Sequence, residues 1–112
     1  MERLTLNATD HALILGLSGE IVMDIVPDLK AEIERLVAET PLPRLVADLG
    51  HVTFMDSSGV GLLIGTRRLC QERDKGFSIR NPSPPIKKLL DMLRLTEFFA
   101  AEPAKASGGK PA

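Results

Sequence analysis

Leu45-Val46-Ala47-Asp48-Leu49, followed by Asp56-Ser57-Ser58-Gly59-Val60-Gly61-Leu62-Leu63, is the stretch on which the fold turns. The first run is apolar and rich in strand formers, which predicts a central β-strand. Asp, Ser and Ser in succession are the preferred helix-capping residues. Behind them Leu62, Leu63, Thr66, Leu69 and Cys70 recur along one helical stripe. The chain therefore passes from strand to helix here, with Val52, Phe54 and Met55 as the apolar members of an intervening loop. Such a step belongs to an α/β domain.

Upstream, Leu4-Thr5-Leu6 alternates and His11 to Leu17 is almost continuously apolar, with turn residues Asn7-Ala8-Thr9-Asp10 between them. That pattern predicts a β-hairpin, ended by Ser18-Gly19. Ile25, Leu29, Ile33, Leu36 and Val37 mark one face of a first helix. Asp24 is its expected N-cap, Pro27 sits in its first turn, and Thr40-Pro41-Leu42-Pro43 stops it. Downstream, Lys75-Gly76 closes the second helix and Phe77-Ser78-Ile79 alternates as a short strand. Ser83 is then poised as N-cap and Pro84 as the first residue of a third helix carrying Ile86, Leu89, Leu90 and Leu93. Leu95, Phe98 and Phe99 add a last short piece, extended or helical. The order is β-β-α-β-α-β-α plus that final element, a mixed β-sheet packed against helices in one domain over residues 1–99. Residues 100–112 offer nothing to bury and are expected to form a flexible tail.

The chain has 112 residues, 44% hydrophobic and 26% charged, the profile of a single globular domain. No stretch reaches the roughly 20 apolar residues of a spanning helix, and no apolar signal segment follows a basic start. A cytoplasmic protein is expected. One cysteine, Cys70, excludes an internal disulfide and fits a small buried hydrophobe in the second helix. His11 and His51 have no metal-ligand spacing, so neither metal nor cofactor is expected. With no Trp or Tyr and only 4 Phe, a stacking platform for nucleic acid is unsupported. Residues 1–56 hold ten Asp/Glu against four Lys/Arg, net -6, and residues 57–112 hold five against ten, net +5. This is either two solvated faces or a bipolar surface that steers a protein partner.

Gly59, Gly61 and Gly65 superficially suggest a phosphate loop, but no Gly-Lys-Ser/Thr ending is present and no Gly-x-Gly-x-x-Gly follows a strand. The Gly-x-Ser-x-Gly of a serine hydrolase is absent, and no carboxylate pair stands at useful spacing. An enzyme is not expected. On the residues alone, Asp56, Ser57 and Ser58 are caps of the second helix. Gly61 and Gly65, four apart on it, serve either tight internal packing or a flat outer surface.

Phe54-Met55-Asp56-Ser57-Ser58-Gly59-Val60-Gly61 resembles the signature of STAS domains, the sulfate transporter and anti-sigma factor antagonist superfamily. The likeness is greatest to the stand-alone bacterial anti-sigma factor antagonists. Leu17-Ser18-Gly19-Glu20-Ile21 is similar to their Leu-x-Gly-Glu-hydrophobic element, and the segments at 81–86 and 95–99 fit the same order. Val22 departs from the pattern, since antagonists usually place Asp there. The resemblance implies a STAS-like fold and a binding protein without catalysis. Unmodified, it would sequester an anti-sigma factor that is also a serine kinase and so free a sigma factor. That kinase would phosphorylate Ser57, and a serine phosphatase would reverse the mark. The implied partner surface comprises Asp56, Ser57, Ser58, Gly59 and Gly61, with Glu20 and Asp24 nearby; Gly59 would let the partner backbone approach. The alternative is a non-switching STAS adaptor of a stress-signalling or lipid-transport assembly.

Overall fold

Apolar side chains at alternate positions need one covered face, and the strands supply it. A computed structural model describes residues 3–100. The elements are β1 (Leu4–Ala8), β2 (Ala12–Ile21), α1 (Val26–Glu39), β3 (Arg44–Met55), α2 (Ser57–Glu72), β4 (Gly76–Arg80), α3 (Pro84–Met92) and α4 (Thr96–Ala100). The strands lie in the order β1-β2-β3-β4. β1 and β2 pair antiparallel as a hairpin, whereas β2–β3 and β3–β4 are parallel pairs joined across α1 and α2. This is the mixed α/β order read from the sequence. The last element resolves as a helix. Of the tail expected over residues 100–112, Ala100 instead closes α4, and residues 101–112 lie outside the described residues.

Leu13, Leu15, Leu45, Ala47, Leu49 and Phe77 from the sheet form one buried cluster with Leu29, Ile33 and Val37 of α1. Leu62, Leu63 and Cys70 of α2, Ile86 and Leu90 of α3, and Phe99 of α4 complete it. Fully burying one such aliphatic or aromatic side chain contributes about 1.5–3 kcal/mol, so this cluster is what the strand and helix periodicities encode. Phe99 meets Phe77 edge to face, with ring centroids 6.4 Å apart, which seats α4 on β4. The opposite face mixes Ile14 and Val46 with polar side chains. There Asp48 Oδ2 accepts from Arg80 Nε and its Oδ1 from the Gly50 N–H, both at 3.0 Å, tying β3 to β4. Burial pushes the Asp48 carboxyl up, but these bonds outweigh it and hold the group below the usual carboxylate range.

Three local expectations need correction. The segment read as a loop around Val52, Phe54 and Met55 is strand, because β3 runs unbroken to Met55. Its pairing with β2 shifts register between Gly16 and Ser18 and again between Gly19 and Glu20. At each shift β3 spends one residue more than β2, so its inward positions pass from Leu49 to Val52 and then to Met55. Those steps of three erase the alternation that marks a strand. β2 likewise continues through Ser18-Gly19 to Ile21, with Gly19 at φ +76° at the second shift. Finally, Asp24 does not cap α1. The N-cap is Ile25, without a side-chain bond, because the N–H groups of Ile25 and Val26 both donate to the Val22 carbonyl, at 3.0 and 3.1 Å. A backbone turn does the work expected of the carboxylate. Ser83 holds the N-cap position of α3, but its hydroxyl donates to the Val52 carbonyl instead and anchors α3 to the sheet.

Candidate functional site

The ends of β2 and β3 and the start of α2 converge around Asp56. As N-cap of α2, its Oδ1 accepts from the Gly59 N–H at 3.0 Å, while its Oδ2 accepts from the Met23 N–H at 3.0 Å. The Asp56 carbonyl takes the first helical bond, from Val60 N–H at 3.1 Å. One carboxylate thus fixes both the helix start and the β2–α1 connection. Each interaction with a charged acceptor contributes roughly 1.5–3 kcal/mol where it is shielded, less where water competes.

Ser57 is the first residue of α2 and is exposed; Ser58 is half-buried behind it. The N–H groups of a first helical turn lack intrahelical partners and sit at the positive end of the dipole. A hydroxyl here is open to an approaching enzyme, and an anion attached to it meets a tolerant backbone. Glu20, on β2, and Asp24 are both exposed at the same end of the sheet. Glu20, Asp24, Asp28 and Asp56 bring acidic side chains to this end, and the Arg3 guanidinium reaches it beside Gly19.

Gly59 does not serve a partner's backbone. It is buried, and a Cβ built on it would stand 2.3 Å from Met55 Cγ and 2.4 Å from the Ile21 carbonyl. The close approach is internal: α2 starts against the last residues of β2 and β3. Gly61 and Gly65 resolve the other way. Both are exposed, with nothing within 4 Å of an added Cβ. They floor a groove of about 470 Å³ between α1 and α2, lined by Val26, Ile33, Leu62 and Leu69 and opening beside Ser58. The outward alternative for these glycines therefore holds.

Two apolar residues at this end are exposed: Met23, absent from the sequence-based expectations, and Phe54, named there only as an apolar loop member and part of the signature. Met23 is 66% and Phe54 53% exposed, on either side of the Asp56 clamp. Phe54 pairs with Glu20 across the sheet. The available signal was Phe54 lying out of step with its buried neighbours Val52 and Met55, readable only once the register shifts are known. Among the described residues no cluster of His, Cys, Asp and Glu is arranged to hold a metal, and no helix is long and apolar enough to cross a membrane.

The fold and site define a small α/β module that presents a capped, serine-bearing helix start at one end of a four-stranded sheet. The chain belongs to the STAS domain family, whose model matches residues 3–107. An anti-sigma F factor antagonist of Paenibacillus polymyxa is 29% identical over 87 residues, 78% of this chain and 74% of that protein. The anti-sigma factor antagonist SpoIIAA in its unphosphorylated form is 26% identical, covers 84% of this chain and 83% of its own, and superposes with a TM-score of 0.72. The phosphorylated form of the Bacillus cell fate determinant SpoIIAA matches 84% of this chain and 86% of its own, at 26% identity and a TM-score of 0.66.

Proposed function

We propose that this protein is a cytoplasmic anti-sigma factor antagonist whose binding is switched by phosphorylation of Ser57. The observation that carries the reading is an exposed serine at the first position of α2, beside an aspartate whose carboxylate is already committed to two backbone N–H groups. The names of the similar antagonists, and the existence of one in a phosphorylated form, support it. Unmodified, the surface of Asp56, Ser57, Ser58, Glu20 and Asp24 binds an anti-sigma factor with serine kinase activity and frees a sigma factor. The protein is itself a binding partner and no enzyme. A serine phosphatase restores it.

The switch follows from charge and volume. Phosphate adds roughly -1.5 to -2 charge at pH 7 and strong acceptor oxygens. The free N–H groups at the start of α2 accommodate it, so the fold survives. A partner surface shaped to a neutral hydroxyl has neither room nor counter-charge for a dianion beside Asp56. A loss of about 3 kcal/mol weakens binding more than a hundredfold.

Mass spectrometry of the protein from its own cells is expected to find phosphate on Ser57. Against the anti-sigma factor that co-purifies with it, Ser57→Ala binds constitutively, Ser57→Asp binds weakly with an unchanged circular dichroism spectrum, and Ser58→Ala is still phosphorylated. Phosphate on Ser58 instead, or tight binding by Ser57→Asp, refutes the mechanism.

A further inference from the structure

Exposed apolar side chains are ordinary when scattered singly and informative when gathered at one place. Met23 and Phe54 are gathered around Asp56. Phe54 is the penultimate residue of β3, and Met23 follows the end of β2. Their backbones are held. The Met23 N–H donates to Asp56 Oδ2 at 3.0 Å, and the preceding Val22 carbonyl accepts from the N–H groups of Ile25 and Val26. Phe54 stands in the paired part of β3, opposite Glu20. Yet 66% of Met23 and 53% of Phe54 remain in water, so the core gains little from either side chain. Both can enter one contact with Ser57. Phe54 is three residues from it, at most about 11 Å between Cα atoms. The surrounding charge selects the occupant. Glu20, Asp24 and Asp28 are exposed at this end, and the half-buried Arg3 beside Gly19 offsets only part of their charge. A two-fold contact between copies would bring these like-charged ends together, and an anionic lipid surface would repel them. A protein surface with a basic rim attracts them.

The geometry points to Met23 and Phe54 as the apolar anchors of the partner surface, filling a pocket on the anti-sigma factor that basic side chains surround. The inference rests on the functional reading above and adds which side chains hold the complex, as against the one that releases it. Ser57 and Ser58 are small and polar, and the Asp56 carboxylate is already bonded within the chain. None of the three supplies much apolar area. Aromatic side chains and methionine are enriched at the centres of interfaces, and a few such residues carry most of the affinity. Phe54 offers a rigid ring, and Met23 adapts to the shape of the pocket. A backbone held beforehand lowers the cost of ordering both. Basic groups engaged by Glu20, Asp24 and Asp28 leave no counter-charge for a phosphate on Ser57. Anchors and switch are thus separate parts of one surface.

Calorimetric titration of the full chain with the anti-sigma factor that co-purifies with it tests the assignment. Phe54→Ser is expected to weaken binding about thirtyfold and Met23→Ser about tenfold, each with a less negative heat-capacity change of binding. Both losses should persist between about 0.1 and about 0.5 M salt, whereas Glu20→Gln should lose affinity chiefly at low salt. Circular dichroism and Tm of the two anchor variants should match the parent, because both side chains are mostly in water already. Met92→Ser, on α3 and 70% exposed, should bind as the parent does. Unchanged affinity in the Met23→Ser/Phe54→Ser double variant overturns the anchors and leaves the functional reading standing. Failure of the parent chain to bind any anti-sigma factor overturns both. Self-association of the parent, or its binding to anionic vesicles, that Phe54→Ser abolishes would assign the patch to a second copy or a membrane and likewise overturn the proposal.

Discussion

Replacing each of three glycines on α2 by alanine should give opposite signs of stability change. At Gly59 the new methyl would lie 2.3 Å from Met55 Cγ and 2.4 Å from the Ile21 carbonyl oxygen. Ordinary contact between such atoms is about an ångström longer. The Met55 side chain can swing aside at some cost to the core. The Ile21 carbonyl cannot, because it is backbone and accepts from the Asp56 N–H at 3.4 Å. Overpacking of this kind costs about 1–3 kcal/mol, and the helical gain from removing a glycine returns at most about 1. The net loss is about 1–2 kcal/mol, a fall in Tm of roughly 5–12 °C for a domain of this size. Gly61→Ala and Gly65→Ala meet nothing within 4 Å and keep only the helical gain, about 0.5–1 kcal/mol each. Urea titration followed by circular dichroism, with an unchanged m-value, resolves both signs. A Gly59→Ala protein as stable as its parent, or a loss of stability at Gly61 or Gly65, would refute the packing argument.

Asp56→Ala removes the acceptor for two N–H groups on different elements and should cost about 2 kcal/mol, above an ordinary N-cap loss of about 1. Hydrogen exchange at Met23 and Gly59 is expected to speed up together; acceleration at Gly59 alone would contradict the clamp. Cys70 is fully buried, and burial pushes its thiol up to about 11. Its contribution to stability is therefore complete below the ordinary thiol range near 8.5 and is lost as pH rises toward about 11. The alkaline limb of Tm against pH should flatten in Cys70→Ala, whatever that variant's absolute Tm, and the native thiol should resist alkylation at pH 8. An identical alkaline limb would remove the thiol from the account.

The parts of the molecule legible in the sequence are those where one periodicity holds without interruption. Leu29, Ile33, Leu36 and Val37 announce α1, and Asp56 announces the start of α2, because spacing and capping chemistry are local. The far ends of β2 and β3 were hidden by the two register shifts. Pairing with a neighbour, not the residues themselves, sustains a strand whose inward positions step by three. Asp24 misled for a related reason: a good capping residue in the right place is redundant once the backbone turn at Val22 supplies the acceptor. At the site, Ser57 and its neighbours could be named from the motif. That Gly59 is an internal spacer, and that Met23 and Phe54 stand exposed beside it, depends on how three chain segments meet, which no single segment encodes.

The parallel pairing of β2 with β3 bears on how the chain reaches this state. Leu13 meets Leu45 and Leu15 meets Ala47 only after all of α1 has been threaded between them, whereas β1 and β2 join through a short turn. The hairpin can close in about 1–10 μs, while the central pairing waits on the entropy of a long loop. In that interval β2 has one paired side and one open side, and the open side belongs to the apolar run from Ala12 to Leu17. The strand that ends up best protected is therefore the most exposed to intermolecular capture during folding. Early formation of α1, whose own stripe can cover Leu13 and Leu15, shortens that interval, so the crossover helix protects the nascent chain before it stabilises the finished one.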